Sequence, residues 1–136
     1  MFEINNIYNV DSYKAIKEIP DKSIDLIYTD IPYLIEGGGS GQSEFENKWK
    51  WYMSSVNQRD KEKYGHPTCK PLGLVKRHLK HACTNDMVVF DPFLGSGTTA
   101  VACKQLGINY LGFELDKEYY QTALNRLKER SLFDYM

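Results

Sequence analysis

The stretch 87-MVVFDPFLGSGTTAVACKQLG-107 passes from an apolar run, through a proline and two glycines, into a helical pattern. Met87 to Phe90 read as a short strand, because β-branched and aromatic residues are bounded by turn chemistry at Asp91-Pro92. A helix follows the glycines, and Gly107 can terminate it. A second strand, Tyr110 to Phe113, ends at Glu114-Leu115-Asp116. A last helix then runs from about Lys117 to Arg130, with Tyr120, Ala123, Leu124 and Leu127 on one face. Strand, helix, strand, helix is the alternation of a parallel sheet with right-handed crossovers.

Upstream, a strand from Glu3 to Asn9 leads into an amphipathic stretch from Asp11, a plausible N-cap, to about Ile19. Pro20-Asp21-Lys22-Ser23 turns the chain, and a second strand, Ile24 to Thr29, brings Asp30 to its carboxyl end. These two strands read as one strand-helix-strand unit. Lys70 to about Ala82 repeats Leu72, Val75 and Leu79 at helical spacing, with Pro71 suited to the first turn. Residues 36 to 65 are glycine-rich, then polar and aromatic, without periodicity. The expected fold is α/β: a Rossmann-like, doubly wound, mainly parallel sheet of about four strands, incomplete, with helices on both faces.

At 136 residues and a net charge of −1, the chain is expected to form a single domain over residues 1 to 136. No apolar run is long enough to span a membrane, and MFEINNIYNV lacks the pattern of a signal peptide, so a cytoplasmic location is expected. Cys69, Cys83 and Cys103 are widely spaced and odd in number, which suggests reduced thiols and not a disulfide framework or zinc site. Charge is unevenly placed. Lys48, Lys50, Arg59, Lys61, Lys63, Lys70, Lys76, Arg77 and Lys80 face only Asp60 and Glu62, and Trp49, Trp51, Tyr52 and Tyr64 lie among them. Such a stretch suits a phosphate backbone and bases, or a solvated surface.

The glycine turn also specifies a ligand class. Gly95 and Gly97 let the backbone come close to a ligand, and Glu114, ending the next strand, stands where such folds set a carboxylate on ribose hydroxyls. The lysine of a nucleoside-triphosphate loop is missing before Thr98-Thr99. The third glycine of a dinucleotide turn is missing too. A nucleoside without a pyrophosphate fits better.

The run DPFLGSGTTAVACKQLGINYLGFELDKEYYQTALNRL closely resembles the cofactor segment of S-adenosylmethionine-dependent DNA amino-methyltransferases. Asp30-Ile31-Pro32-Tyr33 resembles their Asp-Pro-Pro-Tyr catalytic motif, and 66-HPTCKP-71 resembles their His-Pro-Thr-x-Lys-Pro. The order is that of the circularly permuted group, in which the catalytic motif precedes the cofactor motif. The resemblance covers residues 1 to about 35 and 65 to 130. It implies a cofactor pocket shaped by Asp91, Pro92, Phe93, Gly95, Ser96, Gly97 and Thr98, with Glu114 and Leu115 at the ribose. Asp11 becomes a candidate for the adenine amino group of the cofactor. His66, Thr68 and Lys70 would lie toward its methionine end, although Lys70 alone reads as a surface lysine beside a helix start.

Asp30-Ile31-Pro32-Tyr33, taken alone, reads as a turn. In the resembled role it has a chemistry. The lone pair of an exocyclic amino group is delocalised into the base, and two acceptors aimed at its N–H groups would free it for a sulfonium methyl. The Asp30 carboxylate and the Ile31 carbonyl supply two acceptors. Pro32 directs that carbonyl, and Tyr33 offers a face to a flipped base. Transfer would be direct, with no metal and no covalent intermediate, since no cysteine follows a proline. Ile31 stands where the family usually has proline. That change restores an N–H and keeps the carbonyl.

About thirty residues separate this motif from His66, too few for the further strands and target-recognition region expected at 36 to 65. A shortened relative, an internal deletion and a concatenation of segments all remain open. In each case the strand ending at Asp30 would lie at an unprotected edge, inviting a homodimer or a borrowed partner. The resemblance implies DNA as substrate, adenine before cytosine, and allows a cognate restriction endonuclease within a restriction-modification system. Two other readings stay open: a cofactor-binding remnant or subunit without transfer, and a methyltransferase acting on RNA or a protein amide.

Overall fold

The computed structural model describes residues 1–30 and 70–129. Strand β1 (Asn6–Tyr8) leads to helix α1 (Ser12–Ala15), which tightens into a 3-10 turn at Ile16–Glu18 before β2 (Leu26–Ile27). Helix α2 (Leu72–Ala82), β3 (Val88–Asp91), α3 (Thr98–Leu106), β4 (Asn109–Phe113) and α4 (Lys117–Lys128) follow. All four strands are parallel, in the order β1-β4-β3-β2.

The sheet is the one expected, with one difference in its order. β1 and β2, read in the sequence as a single unit, are separated by β4 and β3. Burial explains the placement. Val89, Phe90, Leu111 and Phe113 are 0 to 2% exposed, as central parallel strands covered on both faces require, whereas Ile27 on β2 is 58% exposed. The outer strands are also shorter than predicted. Asn5, at a φ of 65°, interrupts the extended backbone ahead of β1. Around β2 the pairing continues one residue each way, through Asp25 N–H to the Val88 carbonyl and Tyr28 N–H to the Phe90 carbonyl, both 3.0 Å.

Period-2 alternation divides the core between the two faces. Ile7, Val89 and Tyr110 pack with Val75 and Leu79 of α2, Ala102 of α3 and Ala123 of α4. Phe90, Leu111 and Phe113 pack with Ala15, Phe2, Ile19 and Ile24 on the opposite side. There the Phe90 and Phe113 rings meet edge to face at 5.0 Å between centroids. Helices therefore cover both faces.

Helix ends follow the expected chemistry. Asp11 caps α1 by accepting from Tyr13 N–H at 3.0 Å, and Asp116 caps α4 by accepting from Glu118 and Tyr119 N–H. Pro71 sits at the N-cap of α2, one place ahead of the first turn, and Gly107 closes α3 at a φ of 69°. Among the described residues, no helix is long and apolar enough to cross a membrane.

Candidate cofactor and catalytic site

Because the strands are parallel, their carboxyl ends share one edge of the sheet, where α/β folds bind ligands. Four acidic residues come to that edge. Asp11 follows β1, Asp30 follows β2, Asp91 ends β3 and Glu114 follows β4.

Asp91 is fully buried and fully engaged. Its Oδ1 accepts from the Thr29 hydroxyl at 2.7 Å and from Phe93 N–H at 3.0 Å. Its Oδ2 accepts from the Thr99 hydroxyl at 2.7 Å and lies 3.9 Å from the Lys70 ammonium. Burial pushes its carboxyl above the usual range, while Lys70, the two hydroxyls and the Phe93 N–H oppose that shift. Of the roughly four acceptor positions of a carboxylate, three are filled by hydrogen bonds, and the Lys70 ammonium stands by as a counter-charge. Asp91 therefore shapes the turn from within.

The two glycines differ in what they permit. Gly95, at a φ of 62°, donates its N–H to Glu114 Oε2 at 2.7 Å. Gly97, at a φ of 92°, approaches α4 so closely that an added Cβ would lie 2.7 Å from Ala123 Cβ. The sequence reading gave both glycines to the ligand; at Gly97 the packing of α4 already requires one. Arg126 of α4, 4% exposed, reinforces this contact by donating to the Ser96 carbonyl at 3.0 Å, the Ser96 hydroxyl at 3.1 Å and the Thr98 hydroxyl at 3.0 Å.

Glu114 keeps capacity to spare. Its Oε1 accepts from Asp116 N–H at 2.8 Å and its Oε2 from Gly95 N–H, which leaves further acceptor positions on each oxygen. Burial is the main cause of its raised pKa, which those two N–H groups partly offset. Neighbouring Leu115 is 69% exposed, and Asn9 donates to the carbonyls of both residues, at 2.8 and 2.9 Å. Across the edge, Asp11 has one oxygen on the α1 cap and the other 4.0 Å from Lys14. The Tyr13 and Phe93 rings lie 5.9 Å apart, and Ser12 donates to the Pro92 carbonyl, tying α1 to the turn.

Lys70 lies between the two motifs. Its ammonium is 3.5 Å from Asp30 Oδ2 and 3.9 Å from Asp91 Oδ2, and its side chain is only 19% exposed. The expectation of an isolated surface lysine fails because α2 starts beside the carboxyl ends of β2 and β3. Ile31, Pro32, Tyr33, His66 and Thr68 lie outside the described residues, as does the segment 36 to 65.

Sequence reasoning passed over Thr29, Ser12, Asn9 and Arg126. Only Arg126 carried a signal, since it lies three places after Ala123 and so on the inward side of α4. The Cys103 thiol, buried on α3, is pushed up to about 12 by burial, which keeps it protonated at neutral pH.

A parallel sheet of this order, covered by helices and carrying an acid at each strand end, defines an α/β class whose ligand edge is acidic. A family model described as DNA methylase, for N6 and N4 methyltransferases, matches residues 40–125, and the chain belongs to that family. The match includes residues 40 to 65, which the motif reading had left out. Over 79 residues the chain is 38% identical to the type II methyltransferase M2.MboI of Moraxella bovis, covering 58% of this chain and 29% of that protein. It is also 38% identical over 77 residues to M.HpaI of Haemophilus parainfluenzae, covering 57% and 24%. The chain thus spans about a quarter to a third of the length of these curated relatives. Among solved structures, M1.HpyAVI shares the fold at a TM-score of 0.59 and 24% identity, covering 90% of this chain and 98% of that one.

Proposed function

We propose that the chain carries the catalytic and cofactor motifs of an S-adenosylmethionine-dependent DNA methyltransferase acting on the exocyclic amino group of adenine. The observation that carries this reading is the gathering of Asp30, Asp91 and Glu114 at one sheet edge, in a chain of the DNA methylase family.

The donor set suits a nucleoside cofactor. Glu114 is held by two backbone N–H groups and retains acceptor positions for a ribose diol. The half-buried carboxylate of Asp11 suits the adenine amino group, and Phe93 with Tyr13 suits an apolar ring. Asp91, Ser96, Gly97 and Thr98 act by holding the turn. When bound, S-adenosylmethionine supplies a methyl group on a positive sulfur. Asp30 accepts from one N–H of the target amino group and the Ile31 carbonyl from the other, which leaves the nitrogen lone pair directed at that methyl. These two acceptors would hold the amino nitrogen in line with that methyl and would take the surplus amino proton on to solvent once the nitrogen is methylated.

Within this reading the chain is a single domain of the permuted order, shortened at 36 to 65, working in the cytoplasm. Adenine is preferred to cytosine because the motif begins with Asp. The β2 edge would admit a second copy, and a cognate restriction endonuclease would share the DNA site. The test measures labelled methyl transfer to duplex DNA: Asp30→Ala should abolish it, and retained transfer would refute the role of Asp30. The short interval between Tyr33 and His66 favours a second reading, a cofactor-binding remnant or subunit without transfer of its own. Saturable cofactor binding with no methylated DNA would select it. Tight, sequence-selective duplex binding by this chain alone would count against the shortened middle as a functional loss.

A further inference from the structure

Asp30 poses a positional problem. It lies three residues beyond the last ladder residue of β2, the outermost strand on that side among the described residues, and its side chain is 47% exposed. The backbone pairing of β2 ends with the Tyr28 N–H, so the sheet itself does not fix the direction of the carboxylate.

Two contacts supply what the sheet does not. The Thr29 hydroxyl donates to Asp91 Oδ1 at 2.7 Å and also reaches the Asp30 carbonyl at 3.2 Å, anchoring the backbone at that point. Lys70 then spans from Asp91 Oδ2, at 3.9 Å, to Asp30 Oδ2, at 3.5 Å. The lysine is itself held. Its carbonyl accepts from the Thr98 hydroxyl at 3.4 Å, and its ammonium lies 5.4 Å from the centre of the Tyr28 ring. Its low exposure reduces screening by solvent on the side of the buried Asp91, so its attraction there exceeds that of a surface pair and holds the ammonium in place beside Asp30. A compact ammonium with three donors can serve two carboxylates at once.

We propose that Lys70 is a positioning residue that clamps the Asp30 carboxylate to the buried Asp91, so that the turn shaping the cofactor site also sets the direction of the accepting carboxylate. Lys70 then engages Asp30 Oδ2 and leaves Oδ1 to meet the target N–H. This inference rests on the reading of Asp30 given above, and it separates Lys70 from the residues that touch cofactor.

Two measurements on the full chain test it. The first is a zero-length carbodiimide cross-link mapped by mass spectrometry. A Lys70–Asp30 amide should form in the wild type and disappear in Asp30→Asn, and its absence from the wild type overturns the clamp. The second compares Lys70→Met and Lys70→Arg. Lys70→Met should lower kcat for methyl transfer about 100-fold while the Kd for S-adenosylmethionine changes less than about threefold, since loss of alignment acts on the reacting step. Lys70→Arg, which keeps a cation on a long stem, should recover part of kcat. If cofactor affinity falls as far as kcat, Lys70 contacts the cofactor and the inference is wrong. If the wild type forms the cross-link but methylates no DNA, the methyltransferase reading falls and the clamp stands.

Discussion

Asp91 and Asp30 are joined by one lysine, yet they belong to opposite regimes. Asp91 ends a central strand and is fully buried, with three hydrogen bonds from two hydroxyls and an N–H and the Lys70 ammonium as counter-charge. Asp30 follows an edge strand with half its side chain in solvent and one charged partner. The first carboxylate organises protein, whereas the second remains available to something outside it. Acids at neighbouring strand ends therefore divide between architecture and chemistry according to burial.

The most severe way to break this contrast is to remove the buried member. Asp91→Ala strands the Thr29 and Thr99 hydroxyls and the Lys70 charge, and should cost about 4 kcal/mol in denaturant unfolding. A loss below about 1 kcal/mol would mean that Asp91 does not organise the turn. Gly97→Ala comes next, at about 3 kcal/mol, because its Cβ would meet Ala123 while the backbone keeps a positive φ. A thermal melt unchanged from wild type would show that α4 can move away at little cost.

Glu114 lies between the two regimes, half-buried but with acceptor capacity left, and acidification should expose that. Its pKa is raised, so it protonates at a higher pH than an ordinary glutamate at 4.5, and protonation removes the acceptor offered to a ribose hydroxyl. Cofactor affinity measured by calorimetry should therefore fall as pH drops, beginning above 4.5 and reaching about tenfold for one lost charged hydrogen bond. Affinity flat across that window would remove Glu114 from the ribose. The smallest effect is that of Asp30→Ala on stability. It should stay below about 1 kcal/mol, as for an exposed ion pair, even as methyl transfer is lost.

Much of this was legible locally. The strand, the glycine turn and the helix from Met87 to Gly107 follow from β-branched residues, residues permitting a positive φ, and an apolar stripe, all of which act within a few positions. Asp11 announced its cap in the same way, whereas the cap at Asp116 came from the structure. The strand order was not legible, because local pattern does not say which strand lies beside which. The Thr29–Asp91 hydrogen bond joins residues 62 apart, and the need for glycine at position 97 arises from Ala123 on a later helix. Asp30, by contrast, was placed by its motif, and only its partner Lys70 had to await the tertiary contact.

Arg126 gives the turn a timetable. The arginine that donates to the Ser96 carbonyl lies 30 residues further along the chain, on the last described helix. On a ribosome the glycine turn emerges first and waits for that side chain. Until α4 docks, Ser96 and Thr98 lack their buried guanidinium, and Gly97 lacks the surface against which it is shaped. Maturation of the glycine turn should therefore follow, and not precede, the docking of α4.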